Sequence, residues 1–181
     1  GGLTITGGTV LANNRFGSAT GSGPVNVSSG GTLGGTGQVE GAVTVQSGGA
    51  IAPGNGVGSL NIDDRLTMNT GSELQVEIGS SADLLSVSGV LVLNPTVNVI
   101  AADGFAPGVF EIIDHDSSRS GTPSIGFVPA GFSATIDLSV AGKVRLVIES
   151  TEPPSFDAPV IDGSNLLLSG GGGRPGASFS I

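Results

Sequence analysis

The only histidine, His115, stands in the run Asp114-His115-Asp116. An imidazole between two carboxylates is the one place where the sequence gathers metal-ligand chemistry. A metal site needs three or four ligands converging from the fold. These three are adjacent in sequence, so they are expected on a surface loop. Paired carboxylates could hydrolyse glycosides or, with calcium, eliminate from uronates. The pairs present are Asp63 with Asp64, Glu73 with Glu77, and Asp114 with Asp116. Glu73, Gln75 and Glu77 alternate with Leu74, Val76 and Ile78, and a solvated strand face explains that pattern without chemistry. Serines are abundant, but a nucleophilic triad also needs a base and an orienter, and no Gly-x-Ser-x-Gly elbow occurs. No Lys-Ser/Thr follows Gly170 to Gly173, so that run is not a phosphate loop, and the calcium repeat Gly-Gly-x-Gly-x-Asp is missing. The expectation is no catalytic residue, no cofactor and no metal: the chain is not read as an enzyme.

The elements around these residues follow one frame. Val27-Ser28-Ser29-Gly30-Gly31-Thr32-Leu33, Val45-Gln46-Ser47-Gly48-Gly49-Ala50-Ile51 and Met68-Asn69-Thr70-Gly71-Ser72-Glu73-Leu74 share it: apolar, two polar, Gly, two small or polar, apolar. The copies lie 18 and then 23 residues apart. A repeat with a short alternating strand on each side of a glycine turn cannot bury its own apolar face and must stack on its neighbours. Val43 and Val45 are expected inward, with Thr44 and Gln46 outward. Val25, Val27, Leu33, Ile51, Leu66, Met68, Leu74 and Val76 complete the expected core. Pro53-Gly54-Asn55-Gly56 reads as a wide turn. Alternating segments continue through residues 84–87, 90–93, 97–100, 109–113, 125–128, 132–138 and 143–148. Gly and Pro interrupt every window long enough for an amphipathic helix.

Composition narrows the class. The chain has 181 residues, 33 of them glycine, and lacks cysteine, tryptophan and tyrosine. Glycine far exceeds the usual roughly 7%, yet without a period of three, which excludes collagen. Net charge is −9, and Arg119, Lys143, Arg145 and Arg174 are scattered, so nucleic acid is not an expected partner. No apolar run is long enough to span a membrane as a helix. Three units are expected: a repeat domain over residues 1–150, a Pro-rich linker over 151–157, and a small β module over 158–181. The chain stops inside the alternating segment Ala177, Ser178, Phe179, Ser180 and Ile181. The module is therefore expected to be incomplete by itself, and these five residues form the candidate self-association strand.

Several motifs carry a resemblance. Residues 35–45 (Gly-Thr-Gly-Gln-Val-Glu-Gly-Ala-Val-Thr-Val), Ala52-Pro53-Gly54-Asn55 and residues 66–72 resemble the passenger-associated repeat of bacterial autotransporters. Asp83-Leu84-Leu85-Ser86-Val87-Ser88-Gly89 and Phe110-Glu111-Ile112-Ile113 are similar to the stretch that follows in such passengers. Together they cover residues 3–148. Residues 161–181 resemble a β module attached to similar repeats in large exported proteins. The resemblance implies a right-handed parallel β-helix displayed on a bacterium with an outer membrane. The expected fold is all-β: such a helix of six to eight coils, its later segments forming a cap, followed by the C-terminal module. No C-terminal membrane barrel is visible, a departure from the family pattern, and no membrane contact is expected of this segment. The expected role is structural: a stalk, adhesin stem or self-assembling extracellular fibre subunit. Expected partners are other copies of the chain, a surface polysaccharide, or a host or neighbouring cell surface. The alternative is a carbohydrate-active or carbohydrate-binding β-helix such as a polysaccharide lyase. Against it stand aromatics at 4%, all phenylalanine.

Overall fold

The structure, a computed structural model, describes residues 1–153, 155–156, 160–162, 165–167 and 170–171. Every regular element among them is a strand. The first rung holds β1 (Leu3–Ile5) and β2 (Gly8–Leu11). The second holds β3 (Val25–Val27), β4 (Gly31–Gly35) and β5 (Gln38–Val39). The third holds β6 (Val43–Val45), β7 (Ala50–Pro53) and β8 (Ser59–Ile62). The fourth holds β9 (Leu66–Met68), β10 (Glu73–Ile78) and β11 (Leu84–Val87). The fifth holds β12 (Leu91–Leu93), β13 (Thr96–Ala101) and β14 (Gly108–His115). The sixth holds β15 (Arg119–Ser120) and β16 (Ser124–Ile125). Corresponding strands pair in parallel. Face A runs β1-β3-β6-β9-β12-β15, face B runs β2-β4-β7-β10-β13-β16, and face C runs β5-β8-β11-β14. This all-β path, with three faces and six rungs, is consistent with the expected solenoid.

Inward residues form columns through the rungs. Val27, Val45, Met68 and Leu93 lie in register, as do Leu33, Ile51, Leu74 and Val97. All are buried, and the whole expected core list is buried with them. The three copies of the sequence frame therefore stack position on position. Their glycines stack as well: the Gly30 N–H donates to the Gly48 carbonyl (2.8 Å) and the Gly48 N–H to that of Gly71 (2.7 Å). Gly48 has φ +76°, and a Cβ there would lie 2.5 Å from Ser29 Oγ. The backbone conformation favours glycine there, and a side chain would also force the Ser29 hydroxyl to turn aside.

The two ends differ. In the first rung face C has no strand, and the loop of residues 12–24 crosses it. Side chains there replace a strand: Asn13 Oδ1 accepts from the Thr36 N–H (3.0 Å), Asn14 Oδ1 from Gln38 (3.0 Å) and Ser18 Oγ from Glu40 (3.1 Å). At the other end the chain reverses. β17 (Phe132–Asp137) and β18 (Lys143–Ser150) form an antiparallel pair. β18 pairs antiparallel with β14, across an irregularity between Glu111 and Ile113. Phe132, Ala134 and Ile136 pack on the core, and the Phe132 ring meets Phe105 edge-on at 4.8 Å. The chain thus leaves the parallel path after β16. The strand expected over residues 125–128 ends at Ile125, between Pro123 and Pro129, and Phe127 is exposed. The Phe127 N–H donates instead to Asn98 Oδ1 at 2.8 Å. Farther on, β19 (Ser155–Phe156) pairs with β22 (Gly170–Gly171) and β20 (Val160–Asp162) with β21 (Asn165–Leu167), both antiparallel. The proposed self-association strand, Ala177, Ser178, Phe179, Ser180 and Ile181, lies outside the described residues.

Val45→Asp should destabilise the fold by at least about 4 kcal/mol, since it places an unpaired carboxylate in a closed column. Thr44→Asp, one residue away and outward, should cost less than about 1 kcal/mol. Denaturant melts of the two variants check this, and equal midpoints would defeat the assigned phase.

Candidate functional site

The carboxylates singled out by type and spacing do not converge. Glu73, Gln75 and Glu77 face outward from β10, between buried Leu74, Val76 and Ile78. Glu73 Oε2 accepts from Asn98 Nδ2 (3.2 Å) and Gln75 Nε2 (3.4 Å). Asp63 accepts from Gln38 Nε2, and Asp64 Oδ1 from the Arg65 N–H at 2.6 Å. At the end of β14, Asp114 and Glu111 both pair with Lys143 Nζ, at 2.9 and 2.8 Å. Those two carboxylates raise the Lys143 pKa. Asp114 and His115 do not lie on the expected surface loop: they close β14, in register with Ser86 and Val87 of β11, because the rung-to-rung pairing extends through them, and His115 Nδ1 lies 2.8 Å from the Ser117 carbonyl. Among the described residues no group of three or more His, Asp and Glu could hold a metal ion.

One carboxylate behaves differently. Asp83 is only 2% exposed. Its Oδ1 accepts from the Gly58 N–H and its Oδ2 from the Glu77 N–H, both at 2.8 Å. Asp83 thereby fastens the corner loop between β7 and β8 to the next rung. Gly54 in that loop has φ +90°, and a Cβ there would lie 2.8 Å from Asp83 Oδ1. Burial pushes the Asp83 carboxyl up to about 6; the two N–H donors oppose the shift, and the Glu77 charge adds to it. Nothing in the chemistry of residue types points to Asp83. Its phase does: Leu85 and Val87 are inward, and stepping back by two makes Asp83 inward too.

Beside this corner, face B carries a shallow groove of about 190 Å³. Ala52, Pro53 and Gly54 floor it, Gln75 and Glu77 form one side, and Leu11 and Ile100 stand at its margins. Glu77 and Asp83 border it, but Asp83 uses both oxygens on backbone N–H groups. The arrangement offers an acidic hydrogen-bonding surface without a nucleophile and base in contact.

These features define an all-β stacked-rung protein in which the described carboxylates lie at the corners and on the outer faces. No protein-family model matches the chain. It is similar to the adhesin BmaC autotransporter of Brucella suis biovar 1 (strain 1330): 34% identical over 136 residues, covering 69% of this chain and 4% of that protein. The chain is thus related to an autotransporter adhesin and spans a small part of that relative's length. Among the described residues no helix is long and apolar enough to cross a membrane.

Because Asp83 holds its proton more tightly when folded, its contribution to stability is full below its ordinary pKa of 3.8 and is lost as pH rises through about 6. The difference in melting temperature between wild type and Asp83→Asn should therefore decline from pH 4 to pH 7. A flat or rising difference would show that burial does not control this carboxyl.

Proposed function

We propose that this chain is a length of the stem of a surface-displayed, adhesin-like protein of a Gram-negative bacterium, wound as a right-handed β-helix. The carrying observation is the 34% identity to an autotransporter adhesin, along a chain whose inward columns run unbroken through its middle rungs. The hand of the winding rests on general sterics, since connections between parallel strands of one sheet are right-handed in about 98% of cases. A stem needs stiffness and a solvated exterior, and this chain supplies both: closed columns inside, acids and amides outside. Contacts with a surface polysaccharide or a neighbouring cell belong to this reading. A contact between copies through Ala177, Ser178, Phe179, Ser180 and Ile181 belongs to it too, on the strength of their alternation. An acidic exterior does not favour nucleic acid.

Antibodies against the chain should label intact cells of its source; labelling only after permeabilisation would remove the reading. Incubated with acidic and neutral polysaccharides, with or without calcium, the chain should release no new ends. Activity that disappears in Asp63→Asn or Glu77→Gln would replace the stem with the carbohydrate-active alternative. Deleting residues 175–181 should reduce self-association in sedimentation, and an unchanged assembly state would dismiss the strand contact.

A further inference from the structure

We propose that Asn55 is a site of self-modification: its side-chain amide closes on the Gly56 backbone nitrogen, and the ring then opens to aspartate or isoaspartate at the rim of the face-B groove. The chemistry needs water and nothing else. The Gly56 nitrogen attacks Asn55 Cγ, forming a C–N bond. The bond from Cγ to Nδ2 breaks, and Nδ2 leaves as ammonia, carrying the proton that Gly56 gives up. Water then adds across one of the two C–N bonds of the cyclic imide. Opening at Cγ gives aspartate, and opening at the Asn55 main-chain carbonyl gives isoaspartate.

The corner between β7 and β8 is built so that this reaction has room. Its two ends are pinned. Gly54 exchanges backbone hydrogen bonds with Gly35 (2.8 and 3.0 Å), and the Gly58 N–H donates to Asp83 Oδ1 (2.8 Å). Between the pins, Asn55, Gly56 and Val57 are all exposed. Among the described residues no group hydrogen-bonds to the Asn55 side chain or to the Gly56 N–H. A Cβ on Gly56 would meet no atom within 4 Å, so the attacking nitrogen is uncrowded, and glycine leaves its own dihedrals free to adjust.

Other asparagines lack this combination. The side chains of Asn13, Asn14, Asn69, Asn94 and Asn98 are engaged in hydrogen bonds. Asn26 and Asn61 lie inside β3 and β8 and precede Val27 and Ile62, whose branched side chains crowd the backbone. Asp103-Gly104 is a comparable pair in the corner between β13 and β14, but it is held. The Asp103 carbonyl accepts from the Ser80 N–H (3.0 Å), and a Cβ on Gly104 would lie 3.1 Å from the Ser80 nitrogen.

The product alters a particular surface. Asn55 and Gly56 line the groove with Gln75 and Glu77. Either product replaces a neutral amide there with a carboxylate, on the rim that Glu77 already makes acidic. Isoaspartate also inserts its Cβ into the backbone, between pins that leave the inward columns untouched.

The test holds the purified full chain at mildly alkaline pH and follows the fragment between Arg15 and Arg65 by tandem mass spectrometry. Isoaspartate and aspartate should accumulate together at residue 55, while Asn26 and Asn61, in the same fragment, keep their amides. Gly56→Ala should slow the loss by about ten-fold or more, because a Cβ restricts the backbone beside the attacking nitrogen. An amide still intact at residue 55 after a free peptide of residues 51–60 has fully converted would overturn the proposal. Equal loss at Asn26, Asn55 and Asn61 would also overturn it, since the corner would then confer no selectivity. So would aspartate without isoaspartate, because opening of the ring yields both.

Discussion

Everything in this fold depends on hydrogen bonding between one rung and the next. A strand of three residues has no independent stability, and here those of the inner rungs are held from both sides. Parallel pairing sets the register of the strands but leaves the corners free. Coils of different length can therefore share one set of columns. Val27 reaches Val45 after 18 residues and Val45 reaches Met68 after 23, yet all three stack. The additional residues go into the corner between β7 and β8, which Asp83 then ties down. The tight glycine turn between faces A and B has no such freedom, because each turn rests on the one below.

Much of this was legible in the sequence. The shared frame from Val27 to Leu33, Val45 to Ile51 and Met68 to Leu74 is a statement of which residues stack, since identical spacing across a turn forces identical phase. The outward placement of Glu73 and Glu77 follows from the same period. The ends were harder to read. Side-chain oxygens of Asn13 and Asn14 stand in for a strand, and no periodic signal announces a substitution of that kind. The antiparallel return of β17 and β18 depends on where the parallel path stops. Alternation reads the same in either direction, so strands of both kinds look alike in sequence. Asp83 was hidden because residue type argues for the surface, while its two backbone donors, Gly58 and Glu77, come from different rungs.

The charge distribution follows from the same geometry. With the interior filled by aliphatic columns, acids have only corners and outer faces to occupy. Where they meet bases, as at Lys143 with Glu111 and Asp114, the pairs lie over the junction of β14 and β18 and carry little stabilisation at such exposure. Where they do not, amides such as Gln75 and Asn98 share the carboxylate of Glu73. The outside is an acidic skin over an aliphatic core.

The stacking of rungs also has a mechanical meaning. Hydrogen bonds between rungs lie along the axis of the stack, so tension between its ends is borne by the rungs in series. The weakest junction opens first and releases one coil. A coil of the length between Val45 and Met68 spans roughly 80 Å when drawn out, against about 4.8 Å when stacked. Drawing out one such coil would therefore lengthen the stack by roughly 75 Å.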